Sequence, residues 1–221
     1  MNPKKSEVPL SDFWNTKKGH RVAKRIVVSS AQTLIQDGTI DPRGKTDQQL
    51  KEEIVSFYKK FLQSNTEIRI IPDMRTTMLR EARRHHANKE KVLSIIIYAV
   101  WFEHWINNVI ATVVMRKGHN TKSASQMIRD TSIRAKFTWL LELLELPPIN
   151  KQYTDIIFNL AEYRNSFVHY KWEAKPEQEN HKQDREIYEL LDKIQHVINY
   201  LNKYENKHLY LGGKNRVRKI V

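Results

Sequence analysis

The most apolar run of the chain, residues 92–115, constrains its fold more than any other segment. A helix of about 20 residues is long enough to cross a bilayer. Glu103, His104, Asn107 and Asn108 lie in the middle of this run, however, and charged and amide groups are costly in lipid. The run is therefore read as a helix buried in a soluble protein, with no membrane partner. Its wide apolar face calls for packing on several sides. Six glycines and seven prolines in 221 residues favour long helices over a turn-rich β fold as the packing partners.

Helical periodicity recurs along the chain. Residues 1–20 carry lysines and breakers and read as a basic arm. Val22, Ile26, Val27 and Leu34 fit a helix over 21–36 that ends before Gly38. Thr46 and Gln49 have the spacing of a capping box, and the helix that follows, to about residue 63, aligns Leu50, Ile54, Phe57, Tyr58 and Phe61. Residues 68–71 read as a β-like connector ending at Pro72, and the main domain boundary is placed there. Asp73 is a candidate cap for a helix bearing Arg75, Arg80, Arg83, Arg84, His85 and His86. Arg116, Lys117 and Gly118 terminate the apolar run.

Beyond it, residues 119–125 read as a polar loop, and 133–146 as one helix carrying Ile133, Phe137, Leu140, Leu141 and Leu144, stopped by Pro147 and Pro148. Asn150 is a candidate cap for the next helix. Residues 173–182 read as a charged loop around Pro176. The helix over 184–207 has a strict stripe of Ile187, Leu190, Leu191, Ile194, Val197, Ile198 and Leu201. The expected architecture is all-α. Residues 1–72 form an N-terminal basic arm and helical extension, 73–210 a four-helix bundle (helices 89–117, 133–146, 151–171 and 184–207), and 211–221 a basic tail.

Charge narrows the partner. A net charge of +13 and a pI near 9.8 favour a polyanion through counterion release. The absence of cysteine excludes disulfides and thiolate chemistry within this sequence and is compatible with a reducing cytosol. The first residues contain no apolar core of signal-peptide length, so the expected location is cytoplasmic.

Chemistry concentrates in residues 156–172, where Arg164-Asn-Ser-Phe-Val-His169 is framed by Ile156, Ile157, Leu160, Phe167 and Val168. On a helix Asn165 and His169 lie about 40° apart and Arg164 and His169 about 140° apart. Arginine's long stem, or a helix ending near His169, would bring the two heads together. A permanent cation beside a side chain that titrates near neutrality suits reaction at a phosphodiester. A second R-x4-H, Arg80 to His85, has a mostly charged interior. Its residues Arg80, Arg83, Arg84 and His85 are candidates for an RNA-binding track, or for a solvated cationic face. Metal chemistry has little to build on. There is one Glu-x-x-His, Glu205 to His208, with no H-E-x-x-H and no phosphate-binding glycine loop. No cofactor or metal is expected.

The Arg164–His169 motif in this frame resembles the R-x4–6-H signature of the HEPN superfamily, helical proteins many of which are RNA-cleaving toxins and defence nucleases. The resemblance covers roughly residues 90–205 and includes the polar residue after the arginine, here Asn165. It implies a HEPN-like four-helix bundle and metal-independent RNA cleavage by the 2′-hydroxyl, leaving a 2′,3′-cyclic phosphate. His169 would be general base or general acid. Arg164 would stabilise the charged transition state. Asn165 would orient the histidine or the substrate. Glu103, His104 and Asn107 are candidate residues of the same cleft. Family members paired with a nucleotide transferase carry a tyrosine two residues after the histidine, and this chain has Lys171 there. The resemblance further implies a homodimer, with the apolar 92–115 helix and the stripe of the last helix as candidate interfaces. It also implies a toxin or antiviral-defence role with an antitoxin or regulatory partner. A non-catalytic module that binds RNA or a protein partner is the alternative.

Overall fold

The computed structural model describes residues 14–64, 73–168 and 177–221. They are all-α, with no strand among the described residues. The connector expected at 68–71 lies outside them, as do His169 and Lys171. The chain forms two compact units, Ile68–Glu205 and a discontinuous one made of Met1–Glu67 with Asn206–Val221.

The discontinuous unit contains α1 (Lys17–Gln36), α2 (Asp47–Gln63) and α10 (Gly213–Ile220). The capping box that starts α2 is formed, with Thr46 Oγ1 accepting from Gln49 N at 3.2 Å and Gln49 Oε1 accepting from Thr46 N at 2.8 Å. The expectation that residues 211–221 form a tail fails. Val217 of α10 is fully buried. Arg216 donates to Asp47, Pro42 O and Lys45 O at 2.7–2.8 Å, and Gln32 donates to Lys214 O at 2.8 Å. Gly213 permits the approach, because a Cβ there would stand 2.8 Å from Ile35 and 2.9 Å from Pro42. Of the charges that suggested a tail, Arg218 and Lys219 are exposed, whereas Arg216 is held against residues 42–47 and the inner side holds Gly213 and Val217.

The second unit is organised around α4 (Lys91–Arg116), the predicted apolar helix. By length and composition α4 could cross a membrane; here Trp101, Phe102, Trp105, Ile106, Val109 and Ile110 are buried against other helices. It packs on α3 (Arg75–Ala87), α5 (Thr121–Asp130), α6 (Ile133–Lys136) and α8 (Lys151–Val168). Trp105 stacks on Phe137 at 6.0 Å and meets Tyr204 edge-on at 6.0 Å, and Phe137 meets Phe158 at 6.5 Å.

Three expectations need correction. The loop placed at 119–125 is mostly α5, because Asn120 Oδ1 accepts from Ser123 N at 2.9 Å and caps a helix too polar to show an apolar stripe. The single helix placed at 133–146 is two, α6 and α7 (Trp139–Leu143). Thr138 breaks it: its hydroxyl donates to Arg134 O at 2.8 Å and its backbone leaves the helical region at φ −120°, ψ −109°. The last long helix, α9 (Glu177–His208), begins within the segment read as a charged loop. Its stripe from Ile187 to Leu201 is buried inside the chain, as is most of α4's apolar face, so neither stripe is available as a dimer interface.

Asn150 does cap α8, its Oδ1 accepting from Gln152 N at 3.1 Å. Asp73 Oδ1 accepts from Arg75 N at 2.9 Å at the start of α3. Arg75 also reaches Glu205, 1 % exposed, at 2.8 Å. Burial works against the Arg75 charge, but its hydrogen bonds to Asp73 and the nearby Glu205 carboxylate more than offset this, so its pKa is raised. Removing one partner of a buried pair strands the other. Arg75→Ala is expected to destabilise the protein by about 3–5 kcal/mol, read as a lower midpoint in urea unfolding.

Candidate functional site

A cleft of about 500 Å³ opens on the second unit. One wall is α4, where Ala99, Glu103 and Asn107 recur every fourth residue and so share a face. The opposing wall is α8, where Ala161, Arg164 and Asn165 fall on one face for the same reason. The end of α5 and the turn into α6 close it with Ile128, Arg129, Thr131 and Ser132, then Ile133 and Lys136.

The cleft therefore gathers four of the residues singled out in the sequence: Glu103, Asn107, Arg164 and Asn165. Arg164 is half-buried and Asn165 exposed, and Arg164 Nη1 donates to Asn165 Oδ1 at 2.9 Å. That bond limits the sweep of a long flexible side chain. Asn107 Oδ1 is buried and has no hydrogen-bond partner among the described residues. His104 does not line the cleft. It sits one position, about 100°, around the helix from Glu103 and is exposed. His169 immediately follows the last residue of α8, Val168, and lies outside the described residues.

The cationic residues of α3 are elsewhere, and none lines the cleft. Arg80 and Arg84 are largely exposed and pair with Glu81 at 3.4 and 2.9 Å. Arg83 donates to Gln195 at 2.7 Å. His85, mostly buried, pairs with Glu90. The second R-x4-H motif is thus divided among separate partners, and Arg80 and Arg84 share the single carboxylate of Glu81.

Sequence reasoning missed Lys136, Arg129, Thr131 and Ser132. Lys136 is the most consequential, being 3 % exposed with its Nζ 3.9 Å from Glu103 Oε1. Burial pushes its pKa down, and Glu103 only partly opposes the shift. Lys136 closes the short α6, one residue before Phe137, which stacks on Trp105. The available signal was spacing: Lys136 stands three residues after Ile133 and four before Leu140, beside the apolar stripe, but a lysine there is ordinarily read as solvated. Among the described residues no group of three His, Asp or Glu side chains is placed to hold a metal ion.

Comparison with protein-family models, with curated proteins and with solved structures gave no match.

The desolvated ammonium should burden the fold. Lys136 binds its proton less readily when folded than when unfolded, so stability rises with pH between its lowered folded pKa and its ordinary value of 10.5. Lys136→Met should raise the unfolding free energy by about 1 kcal/mol near neutral pH. The advantage should shrink as pH climbs through that window, as measured by urea unfolding across a pH series.

Proposed function

We propose that the chain is a HEPN-type endoribonuclease that cleaves RNA without a metal. One observation carries this reading: Arg164 and Asn165 of the R-x4-H motif line the same cleft as Glu103, Asn107 and Lys136. The cleft combines cations with acceptor groups, which suits an anionic substrate rich in hydroxyls.

In the proposed reaction the 2′-oxygen of a nucleotide attacks its own 3′-phosphate. His169 takes the 2′-hydroxyl proton, or delivers a proton to the departing 5′-oxygen; its ordinary pKa of about 6.5 suits either task. Arg164 places its planar fork against two phosphate oxygens and stabilises the charge that accumulates on them. Asn165 holds the guanidinium in position. The +13 charge draws RNA to the surface, and the exposed Arg80 and Arg84 of α3 add to that field. By the same reading the protein acts in the cytoplasm as a toxin or antiviral effector, restrained by an antitoxin or regulatory partner.

Cleavage is expected to persist in excess EDTA, to give 2′,3′-cyclic phosphate and 5′-hydroxyl ends, and to stop when the scissile 2′-hydroxyl is replaced by a methyl ether. His169→Ala should lower the rate by about 10²–10⁴ and Arg164→Ala by about 10²–10³. His85→Ala should retain the chemical step. Loss of cleavage in EDTA, restored by a divalent ion with 5′-phosphate products, would overturn the reading.

The chain carries one credible motif, and the proposed family typically opposes two. A two-fold homodimer with the Arg164 faces opposed follows. Phe167 and Val168, apolar and exposed beside the motif, are the surface to place in that interface in lieu of the buried stripes. Light scattering should report a dimer, and Phe167→Glu should dissociate it and reduce cleavage together. A fully active monomer would remove the dimer from the proposal.

A further inference from the structure

Lys136 is the one buried lysine among the described residues, and the fold uses it poorly. An ammonium has three donors, and charge-assisted bonds usually close to about 2.7–2.9 Å. Exposed lysines of this chain reach that range, as with Lys151 and Asp155 at 2.8 Å. Lys136, with far less water to compensate, stands 3.9 Å from Glu103. No other ion pair or hydrogen bond of its Nζ occurs among the described residues. On the α4 wall of the same cleft Asn107 Oδ1 is buried without a partner among the described residues. Buried polar groups are normally satisfied, so an unpartnered buried oxygen and a lysine with no close partner, lining one cleft, point to a ligand that supplies both acceptors and donors.

Charge identifies the ligand class. The charged groups that share the cleft with Lys136 are Glu103 on α4, Arg129 on α5 and Arg164 on α8, and Arg134 stands two residues before it on α6. Arg134 is committed to Glu162 at 3.1 Å and to the Phe158 ring at 4.3 Å. Arg129 contacts Asp130 only at 3.7 Å. Lys136, Arg164 and Arg129 thus line one cleft with a single carboxylate, Glu103, among the lining residues.

We propose that Lys136 is a phosphate-binding residue of this cleft, taking a non-bridging oxygen of the substrate phosphodiester opposite Arg164, with Glu103 as its counter-ion before substrate arrives. The assignment rests on the endoribonuclease reading for its substrate but is tested by binding alone. It gives the site a cation of different kind from Arg164. A guanidinium is a permanent cation, whereas burial makes the Lys136 ammonium the readier to lose its proton and a bound anion opposes that loss. Binding therefore carries a pH dependence of definite sign. A bound phosphodiester favours the protonated lysine, so affinity falls as pH rises through the lowered pKa of Lys136.

The test uses the full chain carrying His169→Ala and a fluorescent 2′-O-methyl oligonucleotide that cannot be cleaved, with affinity followed by anisotropy over salt and pH. Adding Lys136→Met is expected to weaken binding about tenfold and to reduce the slope of log affinity against log salt by about 0.7, one phosphate contact on a single strand. Lys136→Arg should restore affinity but not the alkaline fall, because arginine does not titrate there. If Lys136→Met does not fold, Glu103→Gln serves. Without its counter-ion the buried ammonium loses its proton more readily, and the alkaline fall should move to lower pH. Unchanged affinity and slope in Lys136→Met, or an unchanged profile in Glu103→Gln, would overturn the assignment, as would failure of every form to bind the probe. Cleavage by the native chain, with Lys136→Met binding and cutting normally, would sink the assignment and leave the nuclease reading intact. No cleavage by the native chain, with binding still dependent on Lys136, would do the reverse.

Discussion

Everything in the second unit depends on how Trp105 is packed. Its side chain has no solvent exposure and touches Phe137, which follows α6, and Tyr204 on α9. Phe137 in turn meets Phe158 on α8. Four segments far apart in sequence are registered against one another through a few aromatic faces, each burying a large apolar area with a preferred angle of approach. Tyr204 fixes the register further by donating to Pro147 O at 2.7 Å. The cleft walls are the neighbouring faces of these same helices. Glu103 and Asn107 flank Trp105 on α4, Lys136 precedes Phe137, and Ala161 follows Phe158 on α8. The site is held open by the core immediately beneath it.

That arrangement explains which parts of the molecule were legible in the sequence. The helices α2, α4 and α8 follow from capping residues and apolar periodicity, and each starts within a residue or two of its signal. Thr46 with Gln49, and Asn150, act through bonds to nearby backbone, so their effect is written locally. The break at Thr138 was not legible, because the apolar periodicity of 133–146 runs across it without interruption. The docking of α10 was missed for a different reason. Charge dominates its composition, while the contact that secures it depends on Gly213 lying against Ile35 and Pro42.

The candidate site was half legible. A face of α4 with Glu103 and Asn107 and a face of α8 with Arg164 and Asn165 can be drawn from helical spacing, and that spacing also separates His104 from Glu103 by a wide angle. What spacing cannot show is which faces meet. Lys136 and Arg129 enter through chain reversals, and a lysine is ordinarily read as solvated. Its spacing from Ile133 and Leu140 sets it beside the apolar stripe, but only the packing of α6 on α4 shows that it is covered.

The discontinuity of the first unit bears on how the protein is made. Met1–Glu67 must be completed by Asn206–Val221, with all of Ile68–Glu205 intervening in the order of synthesis. The cleft-bearing unit is contiguous in sequence, whereas α1 and α2 are synthesised long before α10. Until residues 206–221 emerge, Ile35 and Leu50 have an incomplete cover, and the nascent chain presents an apolar surface that chaperones would recognise. Truncation before α10 would make that transient exposure permanent.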